Sequence, residues 1–509
     1  MGERSDVLIG ADPLNVTELV AVADGARVRL SPEAERAIEA ARAVVEEAIT
    51  AGRPVYGLNR RLGDARDTAV DPDEFAAFQR RTIANHRGGI GGFLDARESR
   101  AVVAARLAGF ARGGAGVRLD LARAYAGLLN AGVHPAIPRR GSVGAADLTA
   151  LAEVAAVVTG TGTVLDEEGR PEPASEALAA HGLVPQELAP HEALAVLSAN
   201  AYSIGVGALA VTEAAGLGAV ADRAVALSLE AVAAAGPAGN LSAFSATVAD
   251  ARGGAGQAAS AAAVRAALEG SALEDPERTV TVQDALAFRT APQLHGAYRE
   301  AVDRIRSELE LELAARSENP LVDAATGRMV SGGNFQALPL ALGFEALRLA
   351  LAHVASASER RTAALSAALA PARASGAARL PGLTLYSAAA AVSELRQLAA
   401  PVTLGFTTLS GVEDHASLAP VALQLAQRSL ALTGEVLAIE ALHAADLLQV
   451  HRVTPTGAGT GGLSASLVEL TATGAPAAEL VPGALALVRS AVRGAVRSAS
   501  RSEPHDGVA

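Results

Sequence analysis

Residues 193–212 run for twenty positions without a charged side chain, and any fold must keep that stretch largely out of water. As a helix it spans about 30 Å, long enough to cross a bilayer. It also carries Ser198, Asn200, Tyr202, Ser203, Gly205 and Gly207, too many polar and small groups for a comfortable lipid-facing span. We read it as a buried core helix, with no second candidate of that quality in the chain. The rest of the sequence is also patterned as helix. Ser31-Pro32-Glu33 has the form of a helix start: a capping hydroxyl, a proline where a missing N–H does no harm, and an acid in the first turn. Ile38, Ala41, Val45 and Ile49 recur at helical spacing until Gly52-Arg53-Pro54 stops the segment. Arg304 with Glu308, and Glu312 with Arg316, stand four apart, as on one solvated helix face. Period-two apolar runs are rare and short, Ala26–Leu30 being one, and no strand–helix alternation points to a parallel sheet. The expected class is mainly α.

At 509 residues the chain is too long for one ordinary core, and suits two or three packed domains or one large helical assembly. Breaks rich in Gly and Pro suggest an N-terminal domain over 1–195, a central long-helix bundle over 196–470 and a C-terminal helical tail over 471–509. The stretch TGTGTVLDEEGRPEP, within 160–190, reads as a hairpin-like excursion between helices. In the tail, Arg489, Arg493, Arg497 and Arg501 recur every fourth residue beside Val488, Val492 and Val496. That stripe is either an anion-facing or subunit-packing surface or a plain solvated amphipathic helix.

Composition removes much familiar chemistry. The chain has no Cys, and all 43 of its basic residues are Arg. Disulfides, thiolate zinc sites and a cysteine nucleophile are excluded. So are a Schiff-base lysine, lysine-held pyridoxal phosphate and a Lys-dependent phosphate loop. A net charge of −12 argues against a nucleic-acid partner, since phosphate binding wants a basic surface. The start, MGERSDVLIG, lacks the layout of a secretory signal. The expectation is a cytoplasmic protein with no membrane partner.

Ten His show no H-E-x-x-H and no i, i+4 pair, so no metal site is expected. Glu413-Asp414-His415, read as successive helix residues, point in different directions and suit a capped or salt-bridged helix start. Gly-Gly-Ile-Gly-Gly at 88–92 lacks the preceding strand a dinucleotide site needs. Other features suggest chemistry. Tyr56 lies in Val55-Tyr56-Gly57-Leu58-Asn59, ahead of Arg60, Arg61, Gly63 and Asp64. On a mobile, Arg-flanked loop its phenol would have a lowered pKa and act as a base, or else simply pack. Gly141-Ser142-Val143-Gly144-Ala145-Ala146-Asp147-Leu148 is a glycine-punctuated entry to a helix, whose amides are candidates for holding an anion. Gln283-Asp284 with Arg289 suggests a carboxylate clamp, and Gly332-Gly333-Asn334-Phe335 a tight turn.

Taken in order, these segments resemble the histidine and aromatic amino-acid ammonia-lyase family, aminomutases included. VYGLNRRLGD resembles its Y-G-x-N-T-G-F-G loop. FQRRTIANHRGGIG resembles L-Q-x-x-L-x-x-S-H-x-x-G-x-G, and LLNAGVHPAIPRRGSVGAADL the stretch leading into G-S-V-G-A-S-G-D-L. TVQDALAFRTAPQLHGA, ARSENPL, VSGGNFQALP, SASERR and GVEDHASLAP follow in family order. The resemblance covers nearly the whole chain. It implies the ammonia-lyase (fumarase/aspartase-like) architecture, with an elongated central long-helix bundle. It also implies a homotetramer whose active sites combine loops from three subunits. Members use an electrophilic methylidene-imidazolone ring, made autocatalytically from an internal Ala-Ser-Gly, while a loop Tyr removes the β proton.

The resemblance breaks at that ring. Between Gly144 and Asp147 stand only Ala145 and Ala146, with no serine hydroxyl to leave as water and no glycine amide to close the ring. Ser142 lies upstream, in the G-S-V-G portion. The methylidene-imidazolone group is therefore expected to be absent, with no other cofactor. Retained positions, by resemblance, are Tyr56 as base, His86 against the substrate side chain, Gln283 and Arg289 for a carboxylate, and Asn319, Phe335 and Glu413. Altered positions are Ser198 for an Asn (with Asn200 as a stand-in), Leu286 for a Tyr, Gln336 for a His, Val412 for a Gln, and Arg60 and Arg61 for Thr-Gly.

The expected function is a ring-independent, lyase-like enzyme acting by acid–base elimination, addition, isomerisation or cyclisation on a small carboxylate-bearing substrate. Tyr56 would be the base, Arg289 would hold the carboxylate, and Glu413 and His86 would orient or protonate. The alternatives are a conventional ammonia-lyase or aminomutase, and a non-catalytic binding or assembly homologue.

Overall fold

The computed structural model describes residues 6–10, 12–404 and 411–502, with side chains as far as 494. The chain is mainly α. Among the described residues, five helices run 24 residues or longer: Ala201–Ala235, Ala291–Ala314, Leu338–Ala368, Ala419–Val450 and Ala477–Ser502.

The uncharged run is buried from 193 to 211, but it forms two helices rather than one. Glu192–Leu197 ends at Ser198, and Ala201–Ala235 begins three residues later. The break has a physical cause. The Ala199 carbonyl accepts the Asp147 N–H at 2.8 Å, and the Ser198 hydroxyl accepts the Asn319 N–H at 2.8 Å, so tertiary partners replace the helix ladder. Gly205 explains one of the small residues: a Cβ there would lie 2.5 Å from the Ala101 carbonyl oxygen, so only glycine lets the backbones of the 201–235 and 96–111 helices meet. A second helix, Leu338–Ala368, is also long and apolar enough to cross a membrane by length and composition. This corrects the expectation that the chain holds no second candidate.

Local expectations mostly hold. Ser31 Oγ accepts the Ala34 N–H at 3.1 Å and starts the helix Pro32–Thr50, in which Ile38, Ala41 and Val45 are buried. The run at 26–30 contributes the strand Val28–Leu30, parallel to Val7–Ile9. The 160–190 excursion is a hairpin, Thr163–Leu165 against Pro171–Pro173, followed by the helix Ala174–Ala180. Glu312 corrects the expected solvated face. The helix ends at Ala314, before Arg316, and Glu312 is buried. Its burial, with the nearby Asp147 and Glu308 carboxylates, pushes its carboxyl up to about 7. In the tail helix Arg489 pairs with Glu213 at 2.8 Å; the side chains of Arg497 and Arg501 lie outside the described residues.

The chain divides into two compact units that interleave along the sequence rather than following one another. One comprises Met1–Val211, Ile305–Phe344 and Pro401–Gln424; the other Thr212–Arg304, Glu345–Ala400 and Leu425–Ala509. Four of the five crossings fall inside long helices; the fifth, between Ala400 and Pro401, follows the helix Thr384–Leu398. A division at 195 and 470 follows chain order, whereas these units follow packing.

Candidate functional site

The Tyr56 loop is anchored rather than mobile. Leu58 is fully buried in a cluster with Ala41, Val45, Ala48 and Val322. Asn59 closes the turn, its Oδ1 accepting the Val55 N–H and its Nδ2 donating to the Arg53 carbonyl, both at 2.8 Å. Gly57 has φ +73°, and a Cβ there would meet Leu194 Cδ2 at 2.2 Å, so the loop packs directly onto the helix Glu192–Leu197. The arginines expected to face the phenol are committed elsewhere. Arg61 pairs with Glu74 at 3.1 Å, and Arg60 donates to the Asn59 carbonyl at 2.9 Å.

The phenol itself corrects the expectation of a lowered pKa. Burial pushes Tyr56 above the ordinary value. The Gly63 N–H, donating to its oxygen at 3.1 Å, and the Arg66 guanidinium pull it back, while Glu413 pushes it further up. Burial wins because a half-buried phenolate loses more hydration than one backbone donor and one cation restore.

Tyr56 opens onto a cavity of about 410 Å³. His86, Ala145, Ala146, Ser198, Asn319, Phe335 and Glu413, all singled out in the sequence, line it with Tyr56. His86 ends the helix Phe75–His86, and its Nδ1 lies 2.7 Å from the Thr82 carbonyl. A carbonyl only accepts, so Nδ1 carries the proton and Nε2 of the neutral ring is the acceptor. Glu413 is half-buried. The Glu413-Asp414-His415 triple precedes a helix that begins at Ala419 instead of lying on it. There Gln336 Nε2 donates to His415 Nδ1 at 3.0 Å.

One buried cation braces the cavity wall. Arg106 is ion-paired with Glu318 at 3.1 Å, with side-chain exposures of 1% and 2%. It also donates to the Ala195 and Val196 carbonyls, where the Glu192–Leu197 helix runs out of its own donors. This ties the segment before Ser198 to the segment carrying Asn319, and Asn319 Oδ1 in turn accepts the Gly332 N–H at 3.1 Å.

The segment in the family's ring position is stapled at several atoms. The Ala146 N–H donates to the Phe335 carbonyl at 3.2 Å, the Asp147 N–H to Ala199, and the Leu418 N–H to the Val143 carbonyl at 2.8 Å. Ser417 Oγ donates to the Gly144 carbonyl at 2.9 Å. The expected anion cradle at 141–148 is thus closed at Ala146 and Asp147, whose amides are spent on the fold. Ala146 has φ +58°, a left-handed conformation that strains any residue with a Cβ. Ser142 Oγ is engaged with Thr149 Oγ1 at 2.9 Å. Asp147 is fully buried and accepts from the Ser203 N–H at 2.8 Å, at the start of the 201–235 helix. Burial nonetheless pushes its carboxyl up to about 7.

Five of the sequence candidates lie elsewhere. Gln283 and Arg289 line a separate cavity of about 340 Å³ in the other unit, with Arg289 Nε buried and without a hydrogen-bond partner among the described residues. Leu286, in the same turn, is exposed. Arg60 is not a lining residue of either cavity. Asn200 does not line the cavity; it is fully buried, and neither side-chain polar atom has a partner among the described residues. The sequence reading missed Leu62, Arg66 and Asp67, which share the loop with Tyr56, and Leu148, Leu194 and Ser331. Arg66 was within reach of sequence reasoning as a third arginine on that loop. The leucines carried no signal distinguishing them from core.

The family profile for aromatic amino acid lyases matches residues 14–469. A histidine ammonia-lyase of Anaeromyxobacter sp. (strain K) is 36% identical over 468 residues, covering 87% of this chain and 90% of the relative. Among solved structures, the ergothioneine-degrading ergothionase of Treponema denticola, in complex with desmethyl-ergothioneine sulfonic acid, superposes with a TM-score of 0.88 at 27% identity, covering 96% of this chain and 99% of that one. The tyrosine aminomutase of Streptomyces globisporus superposes with a TM-score of 0.84 at 27% identity, covering 98% and 99%.

Proposed function

The chain belongs to the aromatic amino acid lyase family, and from that premise we propose that it is a lyase working without the methylidene-imidazolone group. The observation that carries this reading is the pair Ala145-Ala146 on the cavity floor. The residues do not fit the ring. Neither side chain has an oxygen to expel as water, and the Ala146 amide, in the place where a glycine amide would close the ring, donates to Phe335.

In this reading Tyr56 removes a proton, and Glu413 and His86 orient the substrate or protonate it. Arg289 and Gln283 hold the substrate carboxylate, contributed by a neighbouring copy in a cytoplasmic homotetramer. Without an electrophile to activate an amine, the substrate carries either a better leaving group or an already acidic proton. A positioned base contributes about 10²–10⁴-fold, which suffices for such a substrate when the surrounding dipoles are fixed. Elimination, addition, isomerisation and cyclisation all satisfy these conditions.

The names of the relatives favour a second reading, a conventional histidine ammonia-lyase or an aminomutase. Two measurements on the purified protein separate the readings. The first expects an intact mass equal to the unmodified sequence and no near-ultraviolet band that borohydride or cyanide abolishes; a dehydrated mass with such a band would sink it.

A further inference from the structure

The segment SASERR in the helix Leu338–Ala368 has no part in the chemistry above, yet it builds a buried charge pair with a hydrogen bond on every charged atom involved. Arg361 grips Glu440 through two bonds, Nε to Oε1 at 2.6 Å and Nη2 to Oε2 at 2.8 Å. Ser228 Oγ donates to the first carboxylate oxygen at 2.8 Å and Ser358 Oγ to the second at 2.6 Å. Arg361, Glu440, Ser228 and Ser358 are all at 0% exposure. Burying two full charges in a helical core adds little net stability, because their desolvation offsets the attraction. What the pair supplies is a fixed direction. The guanidinium is planar, and with two of its nitrogens locked on Glu440 the third is aimed.

That third nitrogen, Nη1, donates to the Ala287 carbonyl at 2.9 Å. Ala287 lies in the one-turn helix Leu286–Arg289, four residues long and too short to hold its own shape in water. Its other end is fixed by Asp284, whose carboxylate accepts the Asn240 N–H at 2.7 Å. Phe288, buried in a cluster with Val225 and Val264, pins the middle. Arg289 follows, its Nε buried and without a hydrogen-bond partner among the described residues.

We propose that Arg361, locked on Glu440, is a positioning residue that sets the 286–289 turn through the Ala287 carbonyl and thereby aims Arg289 at the substrate carboxylate. This rests on the reading of Arg289 as the carboxylate-binding group. Arg361 does not touch substrate; it acts through one backbone oxygen.

The test uses the full-length protein, with trans-cinnamate as the carboxylate probe, calorimetry for its Kd and hydrogen exchange of the 287–290 amides. Arg361→Lys keeps the charge but cannot grip Glu440 at two points and reach Ala287 as well. It should raise the Kd at least tenfold and speed exchange in the turn. Ser228→Ala removes a bond from the same carboxylate without touching Ala287; it should lower the thermal midpoint while leaving the Kd within about twofold. Should Arg361→Lys not fold, Glu440→Gln keeps the guanidinium but loosens its grip, and should raise the Kd several-fold. An unchanged Kd in these variants, beside a tenfold loss in Arg289→Ala, overturns the positioning role. Equal losses in Ser228→Ala and Arg361→Lys reduce it to general stability and overturn it too. If Arg289→Ala leaves the Kd unchanged, or the wild type does not bind the probe, the carboxylate reading fails first and the role with it.

Discussion

The ionisation of Tyr56 can be measured without knowing the substrate. An ordinary tyrosine titrates near 10, so at pH 7.5 about 0.3% of it is phenolate. Tyr56 lies above that value, because burial outweighs the Gly63 N–H and the Arg66 guanidinium, and Glu413 adds to the penalty. Its phenolate fraction at pH 7.5 is therefore below about 0.3%. A base so scarce makes the rate climb about tenfold per pH unit, with no plateau below pH 10. The chain has five tyrosines, and burial pushes Tyr125, Tyr202 and Tyr298 up as well. A phenolate absorbance titration of the wild type minus that of Tyr56→Phe isolates the one of interest. Its midpoint should lie above 10, fall in Glu413→Gln and rise further in Arg66→Gln. A midpoint below 10, or opposite shifts in the two variants, would refute the account of the site's electrostatics. Once a substrate is in hand, Tyr56→Phe should lose about 10²–10⁴-fold in kcat/KM.

Two more predictions concern Ala146, which lines the cavity, and Glu312, whose carboxyl feels the nearby Asp147. Ala146→Gly removes about 1–2 kcal/mol of left-handed strain and returns about 0.4–1 kcal/mol of unfolded-chain freedom; the net is a gain of up to about 1.6 kcal/mol, read as a higher denaturant midpoint. Glu312, held near 7 in the fold against 4.5 when free, favours folding while protonated, and this contribution fades as pH rises from about 4.5 through 7. Glu312→Gln should therefore gain stability on the wild type across that window, by up to about 3 kcal/mol, in chemical unfolding at pH 5 and 8; a gap that narrows with rising pH contradicts the burial.

What the sequence disclosed was mostly what lies close along the chain or carries a rare residue type. The helix start at Ser31 and the hairpin at 163–173 are local turn chemistry, readable without tertiary contacts. Tyr56 and Phe335 stood out as aromatic groups beside glycines in an Ala- and Leu-rich helical chain, whereas His86 and Glu413 entered through the family resemblance of their segments. The break at Ser198–Asn200 was hidden, since it depends on Asp147 and Asn319, distant partners that compete with the helix for its hydrogen bonds. The direction of the Tyr56 shift was hidden too. Counting neighbouring arginines says nothing about which of them turn away, and Arg60 and Arg61 do. Glu312 looked solvated because four-residue spacing from Arg316 says nothing about where the helix ends or which face is covered; Arg304 is exposed and Glu312 is buried.

The stapled floor at Ala145-Ala146 also bears on what evolution can do next. A Ser inserted after Ala145 would restore a hydroxyl, but ring closure also needs the amide that follows it, and the Ala146 and Asp147 amides are held by Phe335 and Ala199. Regaining the ring therefore takes an inserted residue, a substitution and the release of at least one staple, all before any benefit appears. No single nucleotide change retraces that route. In the proposed ring-free reading, change at the site is left to the groups that line the cavity, Tyr56, Arg66, His86 and Glu413.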